Sequence, residues 1–254
     1  MMHRISMLAV AISFSVVTLA QAKHEDTEFY TPVPAVVKPG GSTNAAPSDA
    51  IILFDGKNLD EWVSTKDATS KAGWTLADNA ITVNKAAGDI QTKRSFTDFQ
   101  LHIEYKIPAN ITGADQARGN SGIFMASFKG GAGGYELQVL DNYTNKTYVN
   151  GQAGSIYKQS APLVNPCLPP GVWQTYDVVW TAPRFNNDSS VKTPAHITVF
   201  LNGVLVQNNF ELTGDTPYIG KPSYHKHGPA PIKLQAHGDK SEPISYRNIW
   251  LREL

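Results

Sequence analysis

From Ala50 to the C-terminus no window of this chain carries an amphipathic helix longer than two turns; apolar residues recur instead at every second position. That alternation is the mark of half-buried strands, whose side chains point to opposite faces in turn. About a dozen short segments show it, bounded by turn-forming residues: 51–54, 74–76, 80–84, 89–92, 99–107, 121–128, 135–141, 174–181, 196–201, 204–208, 232–237 and 244–251. Asn202-Gly203 separates two β-rich runs, and both residues tolerate positive φ, so a tight hairpin is expected there. So many short strands in one helix-poor domain predict an all-β fold of two packed antiparallel sheets, a sandwich or jelly roll.

The N-terminal residues read differently. His3 and Arg4 precede an apolar stretch over 5–19, and Ala20-Gln21-Ala22 closes it with small residues around a polar one. This is the pattern of a secretory signal peptide over 1–22. The apolar stretch is shorter than the roughly 20 residues of a spanning helix, so no stable membrane insertion is expected after cleavage. The reading places the mature chain in a bacterial periplasm or outside the cell. Residues 23–49 carry Pro32, Pro34, Pro39, Gly40, Gly41 and Pro47, which exclude a helix or a central strand. They are expected to form an extended arm; Phe29, Tyr30, Val33, Val36 and Val37 give it apolar surface to pack. The domain proper then runs over 50–254. With 22 basic and 22 acidic side chains the chain lacks the basic excess of a nucleic-acid binder. Its one cysteine, Cys167, lies between Pro166 and Pro169 without a nearby base and reads as structural.

The segment Gly134–Asp141 alternates strictly: Tyr135, Leu137 and Val139 on one face, Glu136 and Gln138 on the other. A carboxylate and an amide on a rigid sheet are well supported for chemistry. Segment 99–107 repeats the pattern, with Phe99, Leu101, Ile103, Tyr105 and Ile107 opposite Gln100, His102, Glu104 and Lys106. Segment 232–237 sets Ile232, Leu234 and Ala236 against Lys233, Gln235 and His237. If the three share a sheet, one surface gathers His102, Glu104, Glu136, Gln138, Gln235 and His237. Gln100, Lys106 and Lys233 read as solvated. Arg118 and Asn120, in a glycine-flanked loop, offer a guanidinium fork and an amide suited to hydroxyls or an anion. Tyr157 and Lys158 follow a glycine-containing stretch and are candidates for a loop over the same face. Ser121 lacks a nucleophile elbow. His225 and His227 have no third clustered ligand, so no metal site is expected. The five tryptophans, Trp62, Trp74, Trp173, Trp180 and Trp250, read as core.

At this point the residues carry a resemblance. Leu53-Phe54-Asp55-Gly56 with Leu59 and Trp62, Asn120-Ser121-Gly122-Ile123-Phe124, and Tyr135 through Asp141 follow one another in an order with few alternatives. Gly171 through Asp177, Asn202 through Asn208, Leu234-Gln235-Ala236-His237-Gly238 and Tyr246-Arg247-Asn248-Ile249-Trp250 continue it to the C-terminus. The chain resembles a family once called a domain of unknown function and now described as 3-keto-glycoside 1,2-lyase and 3-keto-2-hydroxy-glucal hydratase, or 3-keto-disaccharide hydrolase. The resemblance covers roughly 50–254 and implies a concanavalin A-like jelly roll. One departure stands out. Many members carry an Asp where this chain has Ala236, and Asp239, two residues past His237, is the candidate replacement.

The resemblance implies a carbohydrate substrate oxidised at C3, no cofactor, and a functional link to an oxidoreductase that forms the ketone. A ketone at C3 acidifies the C2 proton; its removal gives an enolate that expels the C1 substituent, and water can then add to the glucal. Glu136 and His237 are the expected acid/base pair, with Lys158 and Arg118 on the enolate side. Asn120, Gln138, Gln235, Tyr157, Glu104 and Asp141 are the expected substrate contacts. Two other readings stay open. A conventional glycoside hydrolase needs two carboxylates at a set separation, which Glu104 would supply only from another strand. A non-catalytic lectin-like module fits the same fold.

Overall fold

The computed structural model describes residues 22–36 and 46–254; the leader expected over 1–22 lies outside them but for Ala22. Among the described residues the chain is all-β, a jelly-roll sandwich of two antiparallel sheets. The larger sheet has eight strands, in the order Val204–Glu211, His196–Leu201, Trp173–Thr181, Phe99–Lys106, Ser245–Glu253, Ala80–Thr82 and Thr75–Ala77. Ile51–Phe54 pairs onto Ser245–Glu253 as the eighth. The smaller sheet has five: Trp62–Ser64, Ile90–Thr92, Lys233–Leu234, Ser121–Phe128 and Gly133–Val139. The expected hairpin is present. Asn202 (φ 53) and Gly203 (φ 77) both take the left-handed geometry that joins 196–201 to 204–211 without splaying the strands.

The inward positions of both sheets meet in one core. Leu101, Ile103 and Tyr105 come from the larger sheet, Ile123, Met125, Tyr135, Leu137 and Val139 from the smaller. Tyr135 packs on Trp180 across the sandwich with ring centroids 5.2 Å apart. Tyr176 donates its hydroxyl to the carbonyl of Gln138 at 2.8 Å, tying a larger-sheet strand to the strand of Glu136. Cys167 is buried, and burial pushes its thiol up to about 12, which removes it from chemistry near neutrality. Four tryptophans are buried as expected. Trp173 differs: it lies half-buried on the outer face of the larger sheet, with the Arg247 guanidinium 4.1 Å and the Lys106 ammonium 4.8 Å from its ring.

Two expectations change. Segment 232–237 pairs as a strand only at Lys233–Leu234, yet its alternation continues beyond. Segment 99–107 belongs to the opposite sheet from segments 135–141 and 232–237. His102 and Glu104 therefore lie on the far side of the sandwich from Glu136. The described part of the arm packs, but not by burying its apolar side chains: Phe29, Tyr30, Val33 and Val36 stay exposed, and Val37 lies outside the described residues. His24–Thr27 forms a single 3-10 turn, and Ala35–Val36 pairs in parallel with Val164–Asn165. Val149 donates its amide to the Phe29 carbonyl at 2.8 Å, and Asn150 its side-chain amide to the Thr27 carbonyl at 3.0 Å.

Candidate active site

Strand register builds the site. Across the smaller sheet Lys233 lies opposite Phe124, which lies opposite Glu136. In the next row Gln235 donates its amide to the Gly122 carbonyl at 3.0 Å, and Gly122 lies opposite Gln138. All point away from the core, and His237 follows two residues beyond Gln235. The glycine in the middle of the second row is decisive. A Cβ on Gly122 would come within 2.3 Å of Glu136 Oε1. The carboxyl leans into the space that the missing side chain leaves.

Much of this face is shut from solvent: Glu136, Gln138 and Lys233 are buried, while Gln235 and His237 stay partly exposed. The edge of the Glu136 strand is covered, since Tyr157 donates its amide to the Glu136 carbonyl (3.1 Å) and Gln138 its own to Ser155 (3.0 Å). Glu136 also donates its amide to the Thr216 hydroxyl at 3.0 Å. Loops and arm roof a cavity of about 820 Å³ lined by Glu136, Gln138, Asn120, Gln235, His237 and Tyr157 among others. Six of the expected site residues are thereby brought together.

Among the described residues the Glu136 carboxyl has no hydrogen-bond partner, and its residue is 6 % exposed. Burial pushes it up to about 8; the Lys233 charge pulls it down and the Asp89 charge raises it further. It is thus largely protonated at neutral pH and ready to give up a proton. His237 has the opposite arrangement. Its Nδ1 lies 2.8 Å from Asp239 Oδ2. Burial opposes ionisation of Asp239, but hydrogen bonds from Ser241, Lys85 and His237 outweigh it and hold the carboxyl below its usual range. An ionised carboxylate only accepts, so it orients the ring through Nδ1, which the Asp239 amide also approaches at 3.3 Å.

Lys233, expected to be solvated, is 3 % exposed and lines the cavity. Its ammonium donates to the Gly131 carbonyl at 2.7 Å, sits 3.3 Å from Asp89 and lies 3.6 Å over the Phe124 ring. An alternation that places it on one face with Gln235 and His237 was the available signal. Amide recognition is prearranged as well. Gln138 donates to Asn120 Oδ1 at 2.9 Å, and Asn120 donates to the Gln116 carbonyl at 2.8 Å.

Four expected site residues do not line the cavity. Arg118 and Asp141 pair with each other at 2.6 Å, and the guanidinium also donates to the carbonyls of Ile111 and Gly113, which brace their own loop. Glu104 is on the other sheet, held by Arg247 at 2.6 Å and Asn248 at 2.9 Å. Lys158, at φ 59, turns its ammonium to the carbonyls of His24 (2.8 Å) and Tyr218 (2.9 Å), behind the arm. It serves the wall and not the cavity. No three His, Cys, Asp or Glu of the described residues cluster as a metal site.

The jelly roll carries an acid/base-bearing polar cavity on one sheet face, and the similarities that follow place the chain among carbohydrate-active proteins. The chain belongs to the family described as 3-keto-alpha-glucoside-1,2-lyase-like domain, whose family model matches residues 49–252. A crystal structure of a proposed glycosyl hydrolase from Parabacteroides distasonis is 55 % identical, covers 91 % of this chain and 97 % of its own, and superposes with a TM-score of 0.78. Two further structures from that organism, described the same way, share the fold at 20 % and 23 % identity. They cover 83 % and 81 % of this chain and 99 % of their own, with TM-scores of 0.60 and 0.57. No curated protein matches the chain. No helix of the described residues is long and apolar enough to cross a membrane.

Proposed function

We propose that the protein cleaves 3-keto-glycosides by elimination followed by hydration, with His237 as base, Glu136 as acid and Lys233 at the enolate oxygen. The observation that carries this reading is that a buried carboxyl without a hydrogen-bond partner and a histidine oriented by a carboxylate face one cavity. Burial holds Glu136 protonated, and Asp239 fixes the His237 ring at 2.8 Å. A proton-bearing carboxyl and an oriented imidazole are the two groups that paired proton transfers need.

In the first half-reaction His237 Nε2 takes the C2 proton. The electron pair moves into the C2–C3 bond and the charge falls on the C3 oxygen, toward the Lys233 ammonium. Reforming the ketone drives the pair into a C1–C2 double bond and breaks the C1–O bond, and Glu136 protonates the departing oxygen. His237 is then an imidazolium and Glu136 a carboxylate, the states the second half-reaction needs. Glu136 removes a proton from water as its oxygen bonds to C1, and His237 returns a proton to C2. The net change is hydrolysis, and both groups are regenerated. Each positioned proton transfer contributes about 10²–10⁴-fold.

The two-carboxylate hydrolase is less well supported. Glu104, its nominated second carboxylate, lies on the other sheet. The other lining carboxylates are engaged: Glu28 with His24 and Tyr30, Glu25 with His24, Asp115 with Thr147. In the same reading, the pattern over 1–22 exports the protein to the periplasm or beyond, and an oxidoreductase acting on the glycoside supplies the ketone. The test is a comparison of a 3-keto-disaccharide with its unoxidised parent in D₂O. Cleavage of the keto form alone, with deuterium at C2 of the product, is expected. Cleavage of the parent sinks the proposal.

A further inference from the structure

The arm lies outside the stretch that matches the family, which begins at residue 49, yet four of its residues, His24, Glu25, Glu28 and Tyr30, line the cavity. They are held in place from several directions. Lys158, nearly inaccessible, donates to the His24 carbonyl at 2.8 Å and lies 3.7 Å from the Glu28 carboxylate. His24 stacks on Tyr218 with centroids 5.2 Å apart, and Tyr30 meets the Tyr148 ring edge-on at 6.1 Å. The arm is therefore a built wall of the cavity.

Strand register orders the cavity along its length. Lys233 lies across Phe124 from Glu136. On the opposite edge Tyr157 donates its amide to the Glu136 carbonyl, its hydroxyl lies 2.8 Å from that of Tyr148, and the Tyr148 ring meets Tyr30 of the arm. The sequence of groups is thus Lys233, Glu136, the tyrosine pair, then the arm. We propose that the arm forms the subsite for the leaving group, and that it selects a neutral, hydroxyl-rich one, a second sugar. This rests on the assignment of Glu136 as the acid. A substituent whose bridging oxygen sits at Glu136, with the oxidised ring toward Lys233, must extend toward the tyrosines and the arm. Beyond their contacts with His24 and Tyr30, the carboxylates of Glu25 and Glu28 keep lone pairs that accept hydroxyl hydrogen bonds, the tyrosine rings offer stacking surface, and the same carboxylates repel an anionic aglycon. Lys158 acts here as a positioning residue, holding the arm from behind.

Tyr30→Ala and Glu25→Gln change side chains that are exposed and lie outside the fold's core, so the variants remain folded. They are to be assayed, singly and together, on a 3-keto-disaccharide and on the 3-keto form of a methyl glucoside, which has no leaving sugar. The expected result for the double variant is a KM raised about tenfold for the disaccharide, a loss of about 1.4 kcal/mol of binding. kcat and the methyl glucoside are unchanged. A 3-keto-glycoside with a uronic acid leaving group should gain in Glu25→Gln relative to the parent protein. Equal effects on disaccharide and methyl glucoside, or no effect on either, overturn the inference. If the parent protein cleaves neither ketone, the proposed chemistry fails, and the arm is judged by binding in Glu136→Gln. There the unoxidised disaccharide should bind more tightly than the monosaccharide only while Tyr30 and Glu25 are present; an equal affinity refutes the subsite.

Discussion

Two strands of this protein read alike and are used in opposite ways. Phe99–Lys106 and Gly133–Val139 each set large apolar residues against a short polar row, and each buries a glutamate on that polar row. On the larger sheet the polar row is closed by partners. Glu104 accepts from Arg247 at 2.6 Å and from Asn248 at 2.9 Å. His102 pairs with Asp177 at 2.7 Å and stacks on Trp250 at 4.9 Å. On the smaller sheet Glu136 finds no such partner among the described residues. The consequences diverge. Burial pushes Glu104 up, but hydrogen bonds from His102, Asn248 and Arg247 outweigh it and hold the carboxyl at about 2. Burial alone dominates at Glu136, which rises to about 8. A buried polar group that is fully paired is part of the fold; one left unpaired beside a cavity costs stability, and the reaction is where that cost is recovered.

The sharpest way to break this comparison is to remove the charge from each glutamate in turn. Glu136→Gln removes the proton donor and is expected to lower turnover of a 3-keto-disaccharide by about 10²–10⁴-fold. Turnover of a 3-keto-glycoside with a nitrophenolate leaving group, which departs without a proton, should fall far less. Glu104→Gln should do the reverse. It leaves Arg247 without its carboxylate, and breaking a buried pair typically costs about 3–5 kcal/mol, here reduced because the Arg247 side chain is partly exposed. Denaturant unfolding should show that loss while kcat is unchanged. A Glu104 variant that is stable but inactive would overturn the division of labour between the sheets.

Much of this was legible in the residues, and the limits are physical. Period-two alternation exposed both strands, the hairpin at Asn202-Gly203 and the cavity face carrying Glu136, Gln138, Gln235 and His237. Sheet membership was not legible. Pairing joins residues far apart in the chain, and local alternation is the same in either sheet, so alternation alone groups His102 and Glu104 with Glu136 although they lie across the sandwich. It puts Lys233 on the correct face, but what buries the ammonium, Phe124 and the Gly131 carbonyl, comes from another strand and a loop. The charges of Arg118 and Lys158 are local, whereas their partners, Asp141 and the arm, set their direction. The arm's composition predicted an extended packed segment, but nothing local told where it would pack.

The next effect in size concerns the gap that lets Glu136 lean over its neighbour strand. Gly122 is needed for space and not for backbone freedom, since its φ lies outside the left-handed region. In Gly122→Ala the methyl group takes the position 2.3 Å from Oε1, and the carboxyl, being the mobile end of a side chain, must swing aside. A displacement of about 1 Å at a reacting group costs about 10²-fold. We expect kcat to fall by that order with KM and unfolding midpoint little changed, and the effect to be absent when Glu136 is already glutamine. A loss of the same size in the Glu136→Gln background would mean that the alanine harms the sheet and not the carboxyl.

The last test separates the two glutamates through stability and not through turnover. Glu136 titrates at about 8 in the folded protein and near 4.3 when unfolded, so the folded state holds the proton more tightly. Its contribution to stability is fully present below about pH 4.3 and is lost as pH rises through about 8, at up to about 1.4 kcal/mol per pH unit. Glu104, held at about 2, has the opposite sign: its contribution is present above about pH 4.3 and is lost as pH falls through about 2. His102 adds an alkaline loss of its own. Burial pulls it down, but the Asp177 and Glu104 hydrogen bonds lift it to about 8, so its contribution is present below about pH 6.5 and lost through about 8. Unfolding free energies measured from pH 2 to 9 should therefore fall at both ends. In Glu136→Gln the alkaline fall should shrink to the part His102 supplies, leaving the variant more stable than the parent at pH 9. In Glu104→Gln the acid fall should shrink instead. An alkaline limb unchanged in Glu136→Gln would mean that this carboxyl is ionised in the folded protein, and the role of acid would pass from Glu136 to another group.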